Sequence, residues 1–352
     1  MNDVDIAVVG GGIIGCLVAR EITDRDPHCR VALLDRDVVA GGASRRSAGL
    51  HFPRGGTERV RRMSAHSQAV YAQLAQDDPT LPIHALTMHM LTADADRVER
   101  TYLPSAEPER VGQVPGDLIA VPQGTGVWTG RGCQYADVGA LTEALARRLR
   151  RRLALREAIR VTAVDAGPSG VSLGLSTGGV LNASRAVIAP GPWIADPAWE
   201  PLVKPLGARV KKIVALHVDQ EPGEDDGVTV FEDEDAFLLP LRHRGHWLYS
   251  YTCQEWDVDP DGLAQGLSAK DLTEAVESLR RYAPSLAGRT TAGRVFCDAY
   301  SPTREPLVRT LDDGGRIVFA GAANGSGYRL APAIAAETAD LLHIPSSRRN
   351  AA

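Results

Sequence analysis

The sequence predicts an α/β protein, α+β overall, with two domains, and three observations lead to this fold class. The chain has 352 residues, which is more than one hydrophobic core comfortably holds. Close to the N-terminus, a β-branched run ends at glycine and passes into apolar residues at helical spacing, as in a buried parallel strand followed by a helix. Between 208 and 252, short apolar runs indicate an antiparallel sheet.

Further elements are predicted in chain order. Residues 57–77 have apolar side chains along one side of a helix, which two prolines close. Residues 83–132 alternate short apolar runs with Gly and Pro, as in strands and loops of an inserted domain. Asp137 is an acidic N-cap for a helix whose arginine-rich end is better explained as a solvated face than as a nucleic-acid site. The other predicted elements are strands near 158–165, 170–176, 185–190, 208–218, 228–231, 236–241 and 246–252, and a helix at 271–282.

Composition excludes several classes of protein. Hydrophobic residues make up 44% and charged residues 24%, which is ordinary for a globular chain, and the net charge of −5 gives no support for a nucleic-acid partner. The five cysteines are odd in number and form no CxxC pair, so we expect neither a disulfide framework nor a metal site, and a cytoplasmic location fits best. No apolar run reaches the roughly 20 residues of a membrane span, so no membrane association is expected.

The N-terminal unit carries a dinucleotide-binding pattern. Gly10, Gly12 and Gly15 form GxGxxG directly after the first predicted strand, and Asp35 follows the second, Arg30–Leu34. Glycines at these positions allow a tight turn and a close backbone approach to a diphosphate, while the acid can accept hydrogen bonds from ribose hydroxyls. The alternative is a glycine-rich turn in a non-binding α/β protein. The predicted contacts of this Rossmann-like unit are Gly10, Gly12, Ile13, Ile14, Gly15, Asp35 and Arg36.

The next segment, residues 41–51, favours FAD over NAD. It is rich in small residues and hydroxyls and contains two arginines, so it makes neither a good strand nor a long helix. Such a stretch can wrap closely around a flat cofactor, with Ser44 or Arg45 near phosphate. A plain loop is the alternative.

At this point the sequence resembles the D-amino-acid oxidase superfamily of FAD enzymes, in particular its glycine oxidase and sarcosine oxidase branch. The resemblance covers nearly the whole chain. It depends on the Gly10–Asp35 unit, on Ser44–Leu50, on Val187–Trp193, and on the C-terminal stretch from Val318 through Pro332.

The resemblance implies an FAD-binding domain made of segments 1–82, 133–206 and 292–352. A substrate domain with a mixed antiparallel sheet would consist of 83–132 and 207–291. It also implies further cofactor contacts. These are Ser44, Arg45, Ser47, Ala48, Gly49, Leu50, Val161, Gly191, Trp193, Gly325, Gly327, Tyr328 and Arg329.

The catalytic residues expected from the resemblance handle a substrate carboxylate. Arg329 lies two residues past Gly327, where similar sequences place a cation for that group, and a surface or capping arginine is the alternative. Arg61 is the second candidate, with Arg59 and Arg62 competing for its role. His51 could face the flavin or act as a base or hydrogen-bond donor, and a merely structural histidine is the alternative. Tyr251 on the roof strand completes the expected set, with Tyr300 as a further contact.

Two features concern the flavin itself. Cys297 resembles the sarcosine oxidase cysteine that carries a thioether to the flavin 8α-methyl group, and a free buried cysteine is the alternative. Sarcosine oxidases also place a lysine on the roof strand, thought to speed the reaction with oxygen. Here Leu248 occupies that position, and Lys211 or Lys212 could substitute from another strand.

The expected function is therefore FAD-dependent oxidation of the C–N bond of a small amino or cyclic imino acid, by hydride transfer to flavin N5 with oxygen reduced to H2O2. A dehydrogenase of an amino or 2-hydroxy acid that uses another acceptor, and a non-catalytic nucleotide-binding protein, are the alternatives. A monooxygenase using NADPH is disfavoured because no second GxGxxG is present. The oligomeric state stays open.

Overall fold

The computed structural model describes residues 3–264 and 266–345. These described residues form seventeen strands and nine helices. The strands are β1 (Val4–Val9), β2 (Val31–Leu34), β3 (Leu50–His51), β4 (Ile83–Thr92), β5 (Glu109–Val111), β6 (Gly126–Ala136), β7 (Ala154–Arg156), β8 (Val161–Gly167), β9 (Gly170–Leu175), β10 (Val180–Ile188), β11 (Arg209–Val218), β12 (Val228–Phe231), β13 (Ala236–Leu241), β14 (His246–Tyr251), β15 (Thr290–Tyr300), β16 (Leu307–Thr310) and β17 (Ile317–Gly321). The helices are α1 (Ile13–Arg25), α2 (Ala43–Arg46), α3 (Glu58–Asp77), α4 (Ala95–Thr101), α5 (Val138–Leu149), α6 (Glu200–Val203), α7 (Ala269–Tyr282), α8 (Pro284–Ala287) and α9 (Gly327–Leu341).

The first sheet has the predicted Rossmann-like character. Its eight strands run β16-β17-β10-β1-β2-β7, with the β8–β9 hairpin attached to β10, and the central pairs β2/β1, β1/β10 and β10/β17 are parallel. Ile6 and Val8 face a core formed with α1, α3, α5 and α9, whereas Ala7 and Val9 face a second core on the other side. Burial on both faces explains why the first two strands are so apolar.

The second sheet is mixed but mainly antiparallel. Its nine strands run β15-β11-β14-β13-β12-β4-β6-β3, with β5 attached to β6, and only the β12/β4 pair is parallel among the described residues. The strands predicted between 208 and 252 correspond to β11 through β14 within a few residues. The predicted α/β fold class with a mixed antiparallel second sheet is confirmed.

The strand pairing moves two of the expected segment boundaries. The boundary expected at 292 falls inside β15, which pairs with β11 from Arg209 opposite Tyr300 to Val218 opposite Thr290. The chain therefore returns to the first sheet after Tyr300, because the long edge of β11 holds the whole strand. The boundary expected at 132 falls inside β6, which pairs with β4 as far as Ala136.

Helix ends agree with the sequence where a capping residue is present. Helix α3 begins after Thr57, whose side chain accepts a hydrogen bond from Val60 N at 3.2 Å. Helix α5 begins after Asp137, whose Oδ1 accepts from Ala140 N at 3.0 Å, as the acidic cap predicted. No helix in the part of the chain that the structure describes is long and apolar enough to cross a membrane.

Candidate active site

A cavity lies between the two sheets and is lined by residues of both. One end is formed by the turn between β1 and α1 together with the end of β2. The other end lies against β11, β13, β14 and β15 of the second sheet and the loop before α9. The carboxyl ends of parallel strands are where α/β sheets bind ligands, so the cavity lies where the fold predicts a site.

The α1 end of the cavity is built from backbone. Gly12 caps α1 without a side chain, and Ser44 Oγ accepts a hydrogen bond from Ile13 N at 2.9 Å. A Cβ on Gly15 would lie 1.8 Å from the Gly10 carbonyl oxygen, so only glycine allows this turn to close. The helix N-terminus therefore offers N–H groups and a partial positive charge to an anion.

Asp35 lies at the end of β2 beside this turn. Its two carboxylate oxygens accept hydrogen bonds from Gly11 N at 2.6 Å and from Asp37 N at 2.8 Å. Burial raises the pKa of Asp35, although both hydrogen bonds oppose the shift. Each oxygen has a further lone pair, which leaves acceptors for the hydroxyls of a ribose.

The outer edge of this end is closed by a contact between the two domains. Arg36 Cζ lies 5.0 Å from the centre of the Trp193 ring. Asp261, from the loop after β14, accepts hydrogen bonds from Arg36 at 3.0 Å and from Trp193 Nε1 at 2.8 Å. Val161 and Gly191 line the same part of the cavity.

Most of the segment expected to lie beside the flavin lines the cavity. Ser44, Ser47, Ala48, Gly49 and Leu50 are all in its wall. Arg45 is the exception and corrects the expectation. Its side chain is exposed and pairs with Glu143 on α5 at 2.6 Å, outside the cavity.

The residues present fit FAD. The N–H groups around Gly12 and Ser44 would hold the diphosphate, Asp35 would hold the ribose, and the small residues 47–49 leave room for a flat ring. An FAD bound in this way would place its ring in the half of the cavity that contains Arg329.

Arg329 lines that half of the cavity and is otherwise enclosed by protein. Its guanidinium donates to Ser326 Oγ at 2.9 Å and to the Arg54 carbonyl oxygen, and its Cζ lies 5.3 Å from the centre of the Phe52 ring. None of the described acidic residues forms an ion pair with it. Burial, together with the nearby Arg54, lowers the pKa of Arg329 to about 9.

Arg54 also lines the cavity, and the sequence did not single it out. Its Cζ also lies 5.3 Å from the Phe52 ring centre, so one aromatic ring contacts two guanidiniums. Unlike Arg329, it pairs at 2.9 Å with Glu232, which is 1% exposed and also accepts from Tyr102 Oη at 2.6 Å. Burial opposes the charge of Arg54, but Glu232 raises its pKa overall. Arg54 lies in a loop without periodicity, so only its nearness to residues 41–51 could have pointed to it.

Arg61 does not reach the cavity. It lies on α3, where its guanidinium donates to the Arg100 carbonyl oxygen at 2.8 Å near the surface. The competing Arg59 pairs with Glu305 and Glu337, and Arg62 pairs with Glu58. None of the three is among the residues that line the cavity, whereas Arg54 is.

His51 lies behind the cavity wall. Its Nδ1 is 3.3 Å from the Arg329 carbonyl oxygen, so that nitrogen carries the proton, and its ring meets Tyr71 edge-on at 6.0 Å. Burial and the Arg329 charge lower the pKa of His51 to about 3, which keeps the ring neutral. His51 is not among the residues that line the cavity, and it contacts the Arg329 backbone instead.

Tyr251 does line the cavity, as expected for the roof strand. Its hydroxyl donates to Glu274 on α7 at 3.3 Å, so the ring and not the polar tip is directed at the cavity. Tyr300 also lines the cavity. Burial raises its pKa, and the charge of the nearby Asp298 raises it further.

The two faces of β15 correct the expectation for Cys297. Phe296, Asp298 and Tyr300 face the cavity, whereas Cys297 points to the opposite side and packs in an apolar core with Val210. Successive strand residues point to opposite faces, so Cys297 and Asp298 cannot both line the site. Burial raises the pKa of Cys297 to about 12, which keeps it a thiol.

The two candidate lysines also differ. Lys211 lines the cavity, with its Nζ 5.0 Å from the centre of the Trp256 ring and 5.4 Å from that of Tyr300, and burial lowers its pKa. It has no ion-pair partner among the residues that the structure describes. Lys212 points away and pairs with Glu255 and Asp271, each at 3.0 Å.

The fold and this cavity define a two-domain dinucleotide-binding flavoprotein. The sequence model of the DAO family, described as FAD dependent oxidoreductase, matches residues 5–341. The chain belongs to this family and is an FAD-dependent oxidoreductase. The alternative of a nucleotide-binding protein without catalytic activity is thereby set aside.

Solved structures with the same fold include three named enzymes. Glycine oxidase from Bacillus cereus is 16% identical with a TM-score of 0.79, covering 97% of this chain and 95% of that one. L-proline dehydrogenase from P. horikoshii is 16% identical with a TM-score of 0.82, covering 99% and 96%. NikD, an unusual amino acid oxidase essential for nikkomycin biosynthesis, is 18% identical with a TM-score of 0.79, covering 97% and 94%. At these identities the likeness establishes the fold. A search of the curated proteins finds no match to this chain.

Proposed function

We propose that the protein oxidises the C–N bond of a small amino acid or cyclic imino acid whose carboxylate pairs with Arg329. One observation carries the proposal: the Arg329 guanidinium faces the cavity and has no carboxylate partner among the described residues. An enclosed cation without a counter-ion is costly, and an anionic ligand offsets that cost. Printed names of the fold relatives, which include a glycine oxidase and a proline dehydrogenase, support a substrate of this class.

FAD, when bound, would accept a hydride from the substrate α-carbon. The chain itself binds and orients the substrate. Arg329 fixes the carboxylate, and the apolar wall that includes Phe52, Phe237 and Phe296 excludes water. The cations Arg54, Arg329 and Lys211 disfavour an ammonium nearby, so they favour the neutral amine that hydride loss requires.

Oxygen is the proposed acceptor, with H2O2 as its product. Lys211 supports this step because its ammonium lines the cavity without an ion pair in the described part of the chain, so its charge can stabilise negative charge on reduced oxygen. A dehydrogenase that uses another acceptor is the second candidate. One observation favours it: Leu248, at the roof-strand position of the expected lysine, is completely buried in an apolar core.

We also propose that the FAD is not covalently attached. The Cys297 thiol packs in the core behind β15, so it would have to leave that core to reach a ring in the cavity. Hydrogen bonds at the α1 end of the cavity and enclosure by both domains would retain the cofactor instead.

The test uses anaerobic bleaching of the visible flavin absorbance by matched pairs of compounds. Each pair consists of an amino or imino acid and the amine that lacks its carboxylate. We expect bleaching by some of the acids and by none of their decarboxylated partners. Equal bleaching by both members of a pair would contradict the role of Arg329.

The acceptor is tested separately on a substrate that bleaches the flavin. If oxygen is the acceptor, peroxide forms in air at the rate of substrate consumption. Negligible peroxide together with rapid reduction of a dye would select the dehydrogenase.

A further inference from the structure

The cavity contains an acid that the proposed reaction does not use. Asp298 lies on β15 between Phe296 and Tyr300, with its side chain at the cavity and protein on its other sides. Its position on the strand is fixed by pairing with Lys211 on β11. The alternation of β15 therefore presents this carboxyl to the cavity and turns Cys297 away.

Asp298 has only backbone partners among the described residues. Its Oδ1 accepts a hydrogen bond from Ala299 N at 2.9 Å, and Gly325 N also donates to the carboxyl group. No arginine, lysine or histidine in the described ranges forms an ion pair with it. A carboxyl held in this way keeps oxygen atoms free toward the cavity.

The hydrogen bonds place Asp298 in the same half of the cavity as Arg329. Gly325 belongs to the loop before α9, and in the same loop Ser326 accepts a hydrogen bond from Arg329. The reacting ring of an FAD must lie in this half, since the diphosphate belongs at the α1 end. Asp298 is therefore beside the space for the ring.

Several charged and titratable groups lie around Asp298. Lys211 lies opposite on β11, but its Nζ is directed over Trp256 and Tyr300. Tyr300 and Cys297 are its neighbours on β15. Asp235 also lines the cavity and acts on Tyr300, while Arg46, Asp259 and Asp261 act on Cys297. Burial raises the pKa of Asp298 to about 6, because the two backbone hydrogen bonds only partly offset the loss of water.

We propose that Asp298 is a positioning residue that hydrogen-bonds to the bound FAD ring, and that its charge controls the absorbance and the reduction potential of that ring. Below its pKa the neutral acid donates a hydrogen bond. Above it the carboxylate opposes the addition of electrons to the ring, so the reduction potential falls. The proposal concerns the resting holoenzyme and does not depend on the identity of the substrate.

The test is an absorbance titration of the oxidised holoenzyme across pH 6 without substrate. We expect a spectral transition with a midpoint near pH 6 in the wild-type protein. Asp298→Asn should abolish the transition and raise the reduction potential above that of the wild type on the alkaline side. Asp298→Glu keeps a carboxyl group and should retain a transition, which covers the case in which Asp298→Asn does not fold.

Two control variants separate this role from a general effect. Cys297→Ala changes the adjacent residue on the opposite face of β15 and should leave the transition in place. Lys211→Met removes the cation on the paired position of β11 and should shift the midpoint without abolishing the transition. A wild-type spectrum that does not change across this range would overturn the proposal. So would a transition that survives in Asp298→Asn or is lost in Lys211→Met.

Discussion

The two ends of the cavity are built to hold negative charge in different ways. At the α1 end, backbone N–H groups around Gly12 and the helix dipole offer a diffuse positive potential, and no described cationic side chain forms a hydrogen bond with that turn. At the other end, the Arg329 guanidinium on α9 has no carboxylate partner among the described residues. A backbone site is insensitive to most side-chain changes but cannot tolerate a shift of the chain. A side-chain site can be abolished or redirected by one substitution, which makes it the end that selects the substrate.

The substitution expected to have the largest effect breaks the α1 end. Gly15→Ala places a Cβ 1.8 Å from the Gly10 carbonyl oxygen, so the turn must open. We expect loss of bound FAD, measured as flavin absorbance per protein after purification. Gly288→Ala is the matched control, because a Cβ there meets nothing within 4 Å. Full flavin content in Gly15→Ala would show that the turn does not hold the cofactor.

The second-largest effect is expected from removing the carboxylate partner of Arg54. This change distinguishes Arg54 from Arg329, which has no such partner among the described residues. Glu232→Ala leaves Arg54 enclosed without its carboxylate, and removal of one partner of a buried pair typically costs about 3–5 kcal/mol of unfolding free energy. The change should be visible as a lower Tm of the holoenzyme. The exposed pair of Arg62 with Glu58 gives the control, since Glu58→Ala should change Tm little. A Tm equal to that of the wild type would mean that Arg54 finds another partner.

Removal of Arg329 tests substrate recognition directly. Arg329→Ala should remove about 2–5 kcal/mol of transition-state stabilisation, the range for truncation of one partner of a buried charge pair. The loss is measured as a lower kcat/KM. Arg61→Ala is matched in chemistry and lies outside the cavity, so its kcat/KM should stay close to that of the wild type. Equal losses in both variants would mean that Arg329 is not the specific ligand.

The smallest effect is expected at Cys297. Because its thiol packs behind β15, Cys297→Ala should leave the flavin content unchanged, and acid precipitation should release FAD from both proteins. The measurement is the colour of the pellet and of the supernatant. A pellet that is yellow for the wild-type protein but colourless for Cys297→Ala would show that Cys297 carries the flavin covalently.

The sequence by itself determined the dinucleotide-binding end and most of the elements. Gly10, Gly15 and Asp35 are close together in the chain, and local geometry leaves one way to arrange a strand, a tight turn and a helix. The strands from β11 to β14 and helix α3 were also predictable, since periodicity of apolar residues reports the face that each element buries.

Only the tertiary structure decided which side chains enter the cavity. The family resemblance favoured Arg61, yet the loop that carries Arg54 reaches the cavity and α3 turns Arg61 outward. The same holds on β15, where the resemblance selected Cys297 and the strand presents Asp298. The physical reason is that a one-residue change of strand register exchanges the two faces, and register is set by pairing with β11, some eighty residues away in the chain.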